Sequence, residues 1–148
     1  MNLRGIIVAP VLALAAMTTA VALVPTMEAA TASGSISVSP SAVTFPNATV
    51  GAACSPGPGC TYAEVTLTNT SAVTVTLTTA TASPNPPFYP TFGGTCNVTY
   101  AYHIPANTSC TFQWGFRPVH HGKTMGTGTI FFDNGDTVTV GLTGKGTH

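Results

Sequence analysis

Charge is what this chain has least of. Charged residues make up 5% of its 148 positions, against about 25% in ordinary soluble domains. The four basic and four acidic side chains cancel, so no net field draws the chain to nucleic acid or to an anionic membrane surface. Acids are scarce enough to limit chemistry. Past the N-terminal stretch only Glu64, Asp133 and Asp136 remain, and catalysis needs titratable groups that converge. The sequence has no G-x-S-x-G elbow and no H-E-x-x-H. Helical periodicity is missing from residue 35 onward. These absences speak against nucleic-acid binding, catalysis and a helical fold, and no cofactor is expected. A small hydrolase would need two titratable side chains meeting in a cleft.

What replaces charge is threonine and serine among apolar residues, which form 44% of the chain. That share is enough to bury a core. Threonine is β-branched and carries a hydroxyl, which suits the solvent face of a strand. The length fits one domain better than two.

The N-terminus carries the features of an export signal. Arg4 precedes an apolar stretch over 6–24, and Ala30-Thr31-Ala32 offers a small-x-small cleavage site before Ser33. Residues 1–32 are therefore read as a signal peptide and 33–148 as the mature domain. The alternative is an uncleaved anchor, since a stretch of that length can just span a bilayer. Only then would the chain contact a membrane. Either way the remainder lies outside the cytoplasm, secreted or at the cell surface.

In an oxidising compartment Cys54, Cys60, Cys96 and Cys110 are expected to pair, with three connectivities open. Cys54 and Cys60 bracket Ser-Pro-Gly-Pro-Gly, a turn composition that brings its own ends together. This favours Cys54 with Cys60 and Cys96 with Cys110. The spacings C-x5-C and C-x13-C fit no common zinc pattern.

Alternation of period two predicts the strands. Val65 and Leu67 face one way, and Glu64, Thr66 and Thr68 the other. Val73, Val75 and Leu77 alternate with threonines after the turn Asn69-Thr70-Ser71. Cys110, Phe112, Trp114 and Phe116 share a face, and Ile130 and Phe132 continue the inward set after Gly126 and Gly128. Asn134-Gly135 is the preferred pair for a type I′ hairpin, and Val138, Val140 and Leu142 follow it. Ser39-Pro40-Ser41 breaks the first strand in two, which predicts an edge strand that switches sheets. The segment 82–90 holds four prolines and is expected to cross between sheets. About seven or eight short strands separated by turns predict an all-β, immunoglobulin-like sandwich.

Five segments, in order, resemble the bacterial immunoglobulin-like modules related to the ASPM/SPD-2/Hydin (ASH) domain, of the "choice-of-anchor D" type. They are Val38-Ser39-Pro40 with Val43-Thr44-Phe45 and Val50-Gly51; Val65-Thr66-Leu67-Thr68-Asn69-Thr70; Cys96 with 104–111; Phe116-Arg117-Pro118 with Gly122-Lys123; and Leu142-Thr143-Gly144-Lys145-Gly146. Ser71 stands where that family usually has glycine, and the Cys54–Cys60 loop is an addition. The resemblance implies an immunoglobulin-like fold with a structural, adhesive or protein-interaction role. It implies no catalytic residues.

The binding candidates are few. Tyr62, Tyr89, Phe92, Tyr100 and Tyr102 fall in or near loops, where a protein, glycan or other cell-envelope component could use them. Phe131 opposes the inward face of Ile130 and Phe132, so exposure is expected. His120-His121 could bind metal if its loop turned both rings one way, and a histidine-based metal-binding sandwich is the alternative function. Four N-x-[ST] triplets begin at Asn47, Asn69, Asn97 and Asn107, and all are read as turn residues. Low charge leaves edge strands poorly protected, so self-association through them is a further expectation.

Overall fold

The structure is a computed structural model that describes residues 34–55, 57–96 and 101–148. The segment 1–33, with its expected signal, and Tyr100 and Asn97 lie outside the described residues. Everything described is strand, turn or loop. The strands run β1 Ile36–Ser39, β2 Ala42–Thr44, β3 Ala48–Thr49, β4 Thr61–Asn69, β5 Val75–Ser83, β6 Phe88–Gly94, β7 Tyr102–Ile104, β8 Ser109–Phe116, β9 Gly122–Phe132 and β10 Thr137–Thr147. Among the described residues they form two sheets, ordered β1-β4-β8-β6 and β2-β10-β9-β5-β7, with β3 also on β10. This is an immunoglobulin-like sandwich.

Alternation builds the interior. Val65 and Leu67 of β4, Phe112, Trp114 and Phe116 of β8, Ile130 of β9 and Val140 and Leu142 of β10 are all buried. Each such side chain taken from water contributes about 1.5–3 kcal/mol. Phe45, Phe88 and Phe116 form a cluster with ring centroids 5.2–5.7 Å apart, and Phe112 lies 4.9 Å from Trp114. The facing sheet accommodates these rings by omitting side chains. A Cβ on Gly126 would strike Phe88, one on Gly128 would strike Trp114, and one on Gly144 would strike Phe116. Close packing therefore depends on glycines set opposite aromatics. The indole Nε1 of Trp114 is buried without a hydrogen-bond partner.

The broken first strand does switch sheets. β1 pairs antiparallel with β4, whereas β2 and β3 pair parallel with the far half of β10. Pro40 supplies no N–H, so the ladder breaks where the chain changes sheet. The proline-rich link over 84–87 likewise carries the chain from β5 in one sheet to β6 in the other.

Two local expectations are corrected. Val73 is not the start of a strand but 66% exposed in the preceding bend. There Asn69 Nδ2 donates to the Val73 carbonyl (2.7 Å) and Ser71 Oγ donates to the same oxygen (2.9 Å). The hairpin at Asn134-Gly135 is not type I′, which needs positive φ at both residues. Only Gly135 has it, at 87°, and Gly135 N–H donates to the Phe132 carbonyl. The loop is thus three residues long, a turn over Asp133-Asn134 followed by a left-handed glycine. Asn134 is held in ordinary backbone space by its own side chain, whose Oδ1 accepts from Asp136 N–H (3.0 Å). Elsewhere, Tyr102 opens β7, and its side chain packs partly buried against the core.

Candidate interaction surface

The two cystines are Cys54–Cys60, closing the loop before β4, and Cys96–Cys110, joining the segment after β6 to the start of β8. Cys96 N–H also donates to the Thr111 carbonyl (2.8 Å). The second cystine thus holds the end of edge strand β6 against β8.

On the outer face of the four-stranded sheet the pairing register sets out rows of side chains. Tyr62 of β4 and Tyr89 of β6 both pair with Gly115 of β8. A Cβ on Gly115 would collide with the Tyr89 ring, so the missing side chain is what lets this tyrosine lie down on the sheet. Burial, and next the neighbouring Tyr62, push the Tyr89 hydroxyl up to about 12, while Arg117 pulls it the other way. Tyr62 remains 47% exposed and Phe92, further along β6, 69% exposed.

The next row is polar and tightly held. Thr91 Oγ1 donates to Gln113 Oε1 (2.8 Å) and lies 3.1 Å from the Gln113 carbonyl. Gln113 Nε2 donates to Glu64 Oε1 (3.3 Å). A Cβ on Gly93 would overlap the Gln113 amide. Two hydroxyl rows continue the face: Thr95 with Thr111, whose N–H donates to Thr95 Oγ1 (2.7 Å), and Thr68 with Ser109 (2.8 Å). Along this face Glu64 stands among hydroxyls, an amide and tyrosine rings, with Arg117 close enough to Tyr89 to act on its hydroxyl.

Elsewhere the candidates separate. Phe131 is half-buried on the outer face of the other sheet, flanked across the strands by Thr79 and Thr137. Tyr102 offers little to a ligand because its ring packs against the core. His120 and His121 are both exposed, and His121 stacks on His148 with ring centroids 4.0 Å apart. Among the described residues no three metal-ligating side chains gather.

The remaining acids are committed to turns. Asp133 Oδ1 accepts from Thr76 N–H (2.8 Å), and Thr76 is the first cause of its lowered pKa. Asp136 Oδ2 accepts from Ser35 N–H (2.7 Å), Ser35 Oγ (2.5 Å) and Asn134 Nδ2 (3.0 Å). The Ser35 hydroxyl is the largest cause holding its pKa below the usual carboxylate range. Asn69 is wholly buried, donating to the carbonyls of Ile104 (2.9 Å) and Val73, so this triplet is a structural tie between loops.

Gly115, Gly93, Thr91 and Gln113 were not singled out by sequence reasoning. The available signal was the outward set Thr111, Gln113, Gly115 on β8, where glycine interrupts a polar row.

No protein-family model matches the sequence, and no curated protein matches it. Solved structures match it in fold. The ASH / PapD-like domain of human CEP192 (PapD-like domain 7) superposes with a TM-score of 0.55 at 11% identity, over 94% of this chain and 99% of that domain. The YadV chaperone gives 0.52 at 11% identity, over 78% of this chain and 53% of the chaperone. The VesB protease of Vibrio cholerae gives 0.51 at 17% identity over 75% of this chain, which spans only 32% of the protease. At such identities the likeness is one of fold, the immunoglobulin-like β-sandwich.

Proposed function

We propose that the chain is an exported, non-catalytic immunoglobulin-like module of the choice-of-anchor D kind, with a binding or structural role at the cell envelope or on a secreted protein. The observation that carries this is the outer face of β4, β8 and β6. There Tyr62 stays accessible beside a Tyr89 ring seated on Gly115, next to a fixed amide–carboxylate row. Preorganised aromatic and polar groups on rigid strands make a binding face at low entropic cost. The acids support a non-catalytic role, because Asp133 and Asp136 engage their oxygens with turn N–H and hydroxyl groups. Two cystines suit an oxidising compartment, and the stretch 6–24 followed by Ala30-Thr31-Ala32 supplies the export route.

The test uses the full chain in a secreting bacterial host. The expected product starts at Ser33, is four hydrogens lighter than the all-thiol form, and resists alkylation. Added back to envelope preparations it is retained, and a Tyr62→Ala/Tyr89→Ala double variant is not. Cytoplasmic, alkylatable protein, or equal retention of the variant, would refute the proposal.

Metal binding through histidine is the alternative, favoured by one observation, the His121–His148 stack. It predicts a rise in melting temperature with Cu(II), Ni(II) or Zn(II) that His121→Ala removes.

A further inference from the structure

The outer face of the four-stranded sheet has a chemical character that narrows its ligand. Its rows, read along β4 and β8, are Tyr62 with Gly115, Glu64 with Gln113, Thr66 with Thr111, and Thr68 with Ser109. Same-face residues repeat every two positions, so successive rows lie about 6.8 Å apart and the four rows extend roughly 20 Å. One end is aromatic and the remainder presents hydroxyls, an amide and one carboxylate.

Each common class of partner can be weighed against that strip. Protein interfaces bury a core of aromatic, Met and Arg side chains, with Ser depleted overall and Ser and Thr under-represented among the residues that carry binding energy. Beyond its tyrosines this strip is mostly Ser and Thr. A polyanion would need several Lys or Arg, whereas the four rows hold none and Arg117, beside Tyr89, is a lone cation at their aromatic end. A polycation would meet a single carboxylate, already accepting from Gln113. What remains is a ligand with no charge, many hydroxyl groups and an apolar face of C–H bonds that can lie against a ring. A pyranose has all three properties, and a linear chain of them matches an extended row of hydrogen-bonding groups.

The site is also held in place. Tyr89 is seated by the absence of a Cβ at Gly115, and Gln113 by two contacts with Thr91 and the absence of a Cβ at Gly93. Fixed side chains give up little rotamer freedom on binding, which matters for a ligand whose hydroxyls must also be taken from water.

We infer that the outer face of β4, β8 and β6 binds a neutral linear oligosaccharide, with Tyr62 and Tyr89 stacking against a sugar ring and Gln113 and Glu64 bonding its hydroxyl groups. This rests on the chain being a binding module, and it names the class of ligand.

The experiment follows backbone amides of the isotopically labelled, disulfide-bonded protein by NMR. It is titrated with cellohexaose, chitohexaose, laminarihexaose and maltohexaose, each to about 10 mM, well above an expected Kd on the order of 0.1–1 mM. At least one sugar should shift amides of β4, β6 and β8 and leave β9 and β10 still. Tyr62→Ala should weaken that sugar at least tenfold, and Gln113→Ala about as much. Phe131→Ala on the opposite sheet should stay within about threefold of wild type. Tyr62 is exposed, so its truncation leaves the fold intact, with emission from the buried Trp114 as the check. No shift with any of the four sugars, shifts mapped to the other sheet, or undiminished binding by Tyr62→Ala would each overturn the inference. Envelope retention that depends on Tyr62, together with silence toward all four sugars, would mean a different ligand class, most directly a protein, on a module that still binds.

Discussion

Replacing Gly128 with alanine probes the packing between the two sheets at its tightest contact. The new Cβ would lie 2.6 Å from Cη2 and 2.8 Å from Cε2 of Trp114 and nearer still to Cζ2, all short of van der Waals contact. Trp114 has little room to withdraw, since it is fully buried with Phe112 4.9 Å away. Overpacking of this kind costs about 1–3 kcal/mol. Against it stands the smaller unfolded-state entropy of alanine, worth about 0.4–1 kcal/mol where the backbone allows a side chain. Gly128 is not among the glycines with positive φ, so that gain applies. At mid-range the net loss is then about 1.3 kcal/mol. For a domain of this size each kcal/mol lowers the melting temperature by roughly 4 °C, which gives a drop of about 5 °C by calorimetry. Trp114 emission should shift as the indole moves. Gly141→Ala is the control, because its Cβ would approach no ring and would lie 3.2 Å from the Ala42 Cβ and 3.9 Å from the Ser41 carbonyl oxygen. In a Trp114→Phe background the cost of Gly128→Ala should shrink by at least about 0.5 kcal/mol, the mark of coupled neighbours. If Gly128→Ala melts at or above wild type, or adds fully to Trp114→Phe, the glycine is not there to admit the indole.

Other expectations concern the loops. Asn69→Ala removes buried donors from the Ile104 and Val73 carbonyls and should cost about 2–4 kcal/mol in chemical denaturation, the scale of leaving buried groups unpaired. Asp136 has a lowered folded pKa, so its contribution is present above the unfolded value of about 3.9 and lost as pH falls through the folded one. The wild-type melting temperature should therefore decline below about pH 4, with a shallower slope in Asp136→Asn. Removing Cys96–Cys110 opens a ring of sequence separation 14 and should cost about 3 kcal/mol, against about 2 for the shorter Cys54–Cys60 ring. Paired serine variants compared in urea would reverse that order only if the small loop carried the larger constraint.

Strands with a strong contrast between faces were legible in advance. β4, β8 and the middle of β10 alternate Val, Leu, Phe or Trp with Thr, and one buried face leaves no freedom of register. The sheet switch was legible because proline cannot donate to a ladder. The end of β5, Thr-Ala-Thr-Ala-Ser over 79–83, has no such contrast, and the early part of β9 faces the core with glycine. Such positions are settled by what sits across the sandwich, Phe88 opposite Gly126 and Trp114 opposite Gly128, which a linear sequence does not place. The same holds for the candidate surface. Tyr62 and Tyr89 were visible as aromatics near loops, but their meeting over Gly115 depends on three strands coming into register. His121 gained a neighbour 27 residues away in His148, and the hairpin changed type because Asn134 bonds to its own loop.

The parallel pairing of β2 and β3 with β10 has a kinetic side. Gly141 sits against Ala42 and Gly146 against Ala48, so the strand made last locks strands made almost a hundred residues earlier. Until β10 arrives, β9 is paired on one side only, with β5, and Phe116 lacks the floor that Gly144 provides. Such long loops must close before their contacts bring any return, which makes the fold slow to form. A nascent domain of this design remains open until β10 has been synthesised. For a chain exported as proposed, delayed closure would suit passage through a membrane in the unfolded state, with the cystines and the sandwich forming together on the far side.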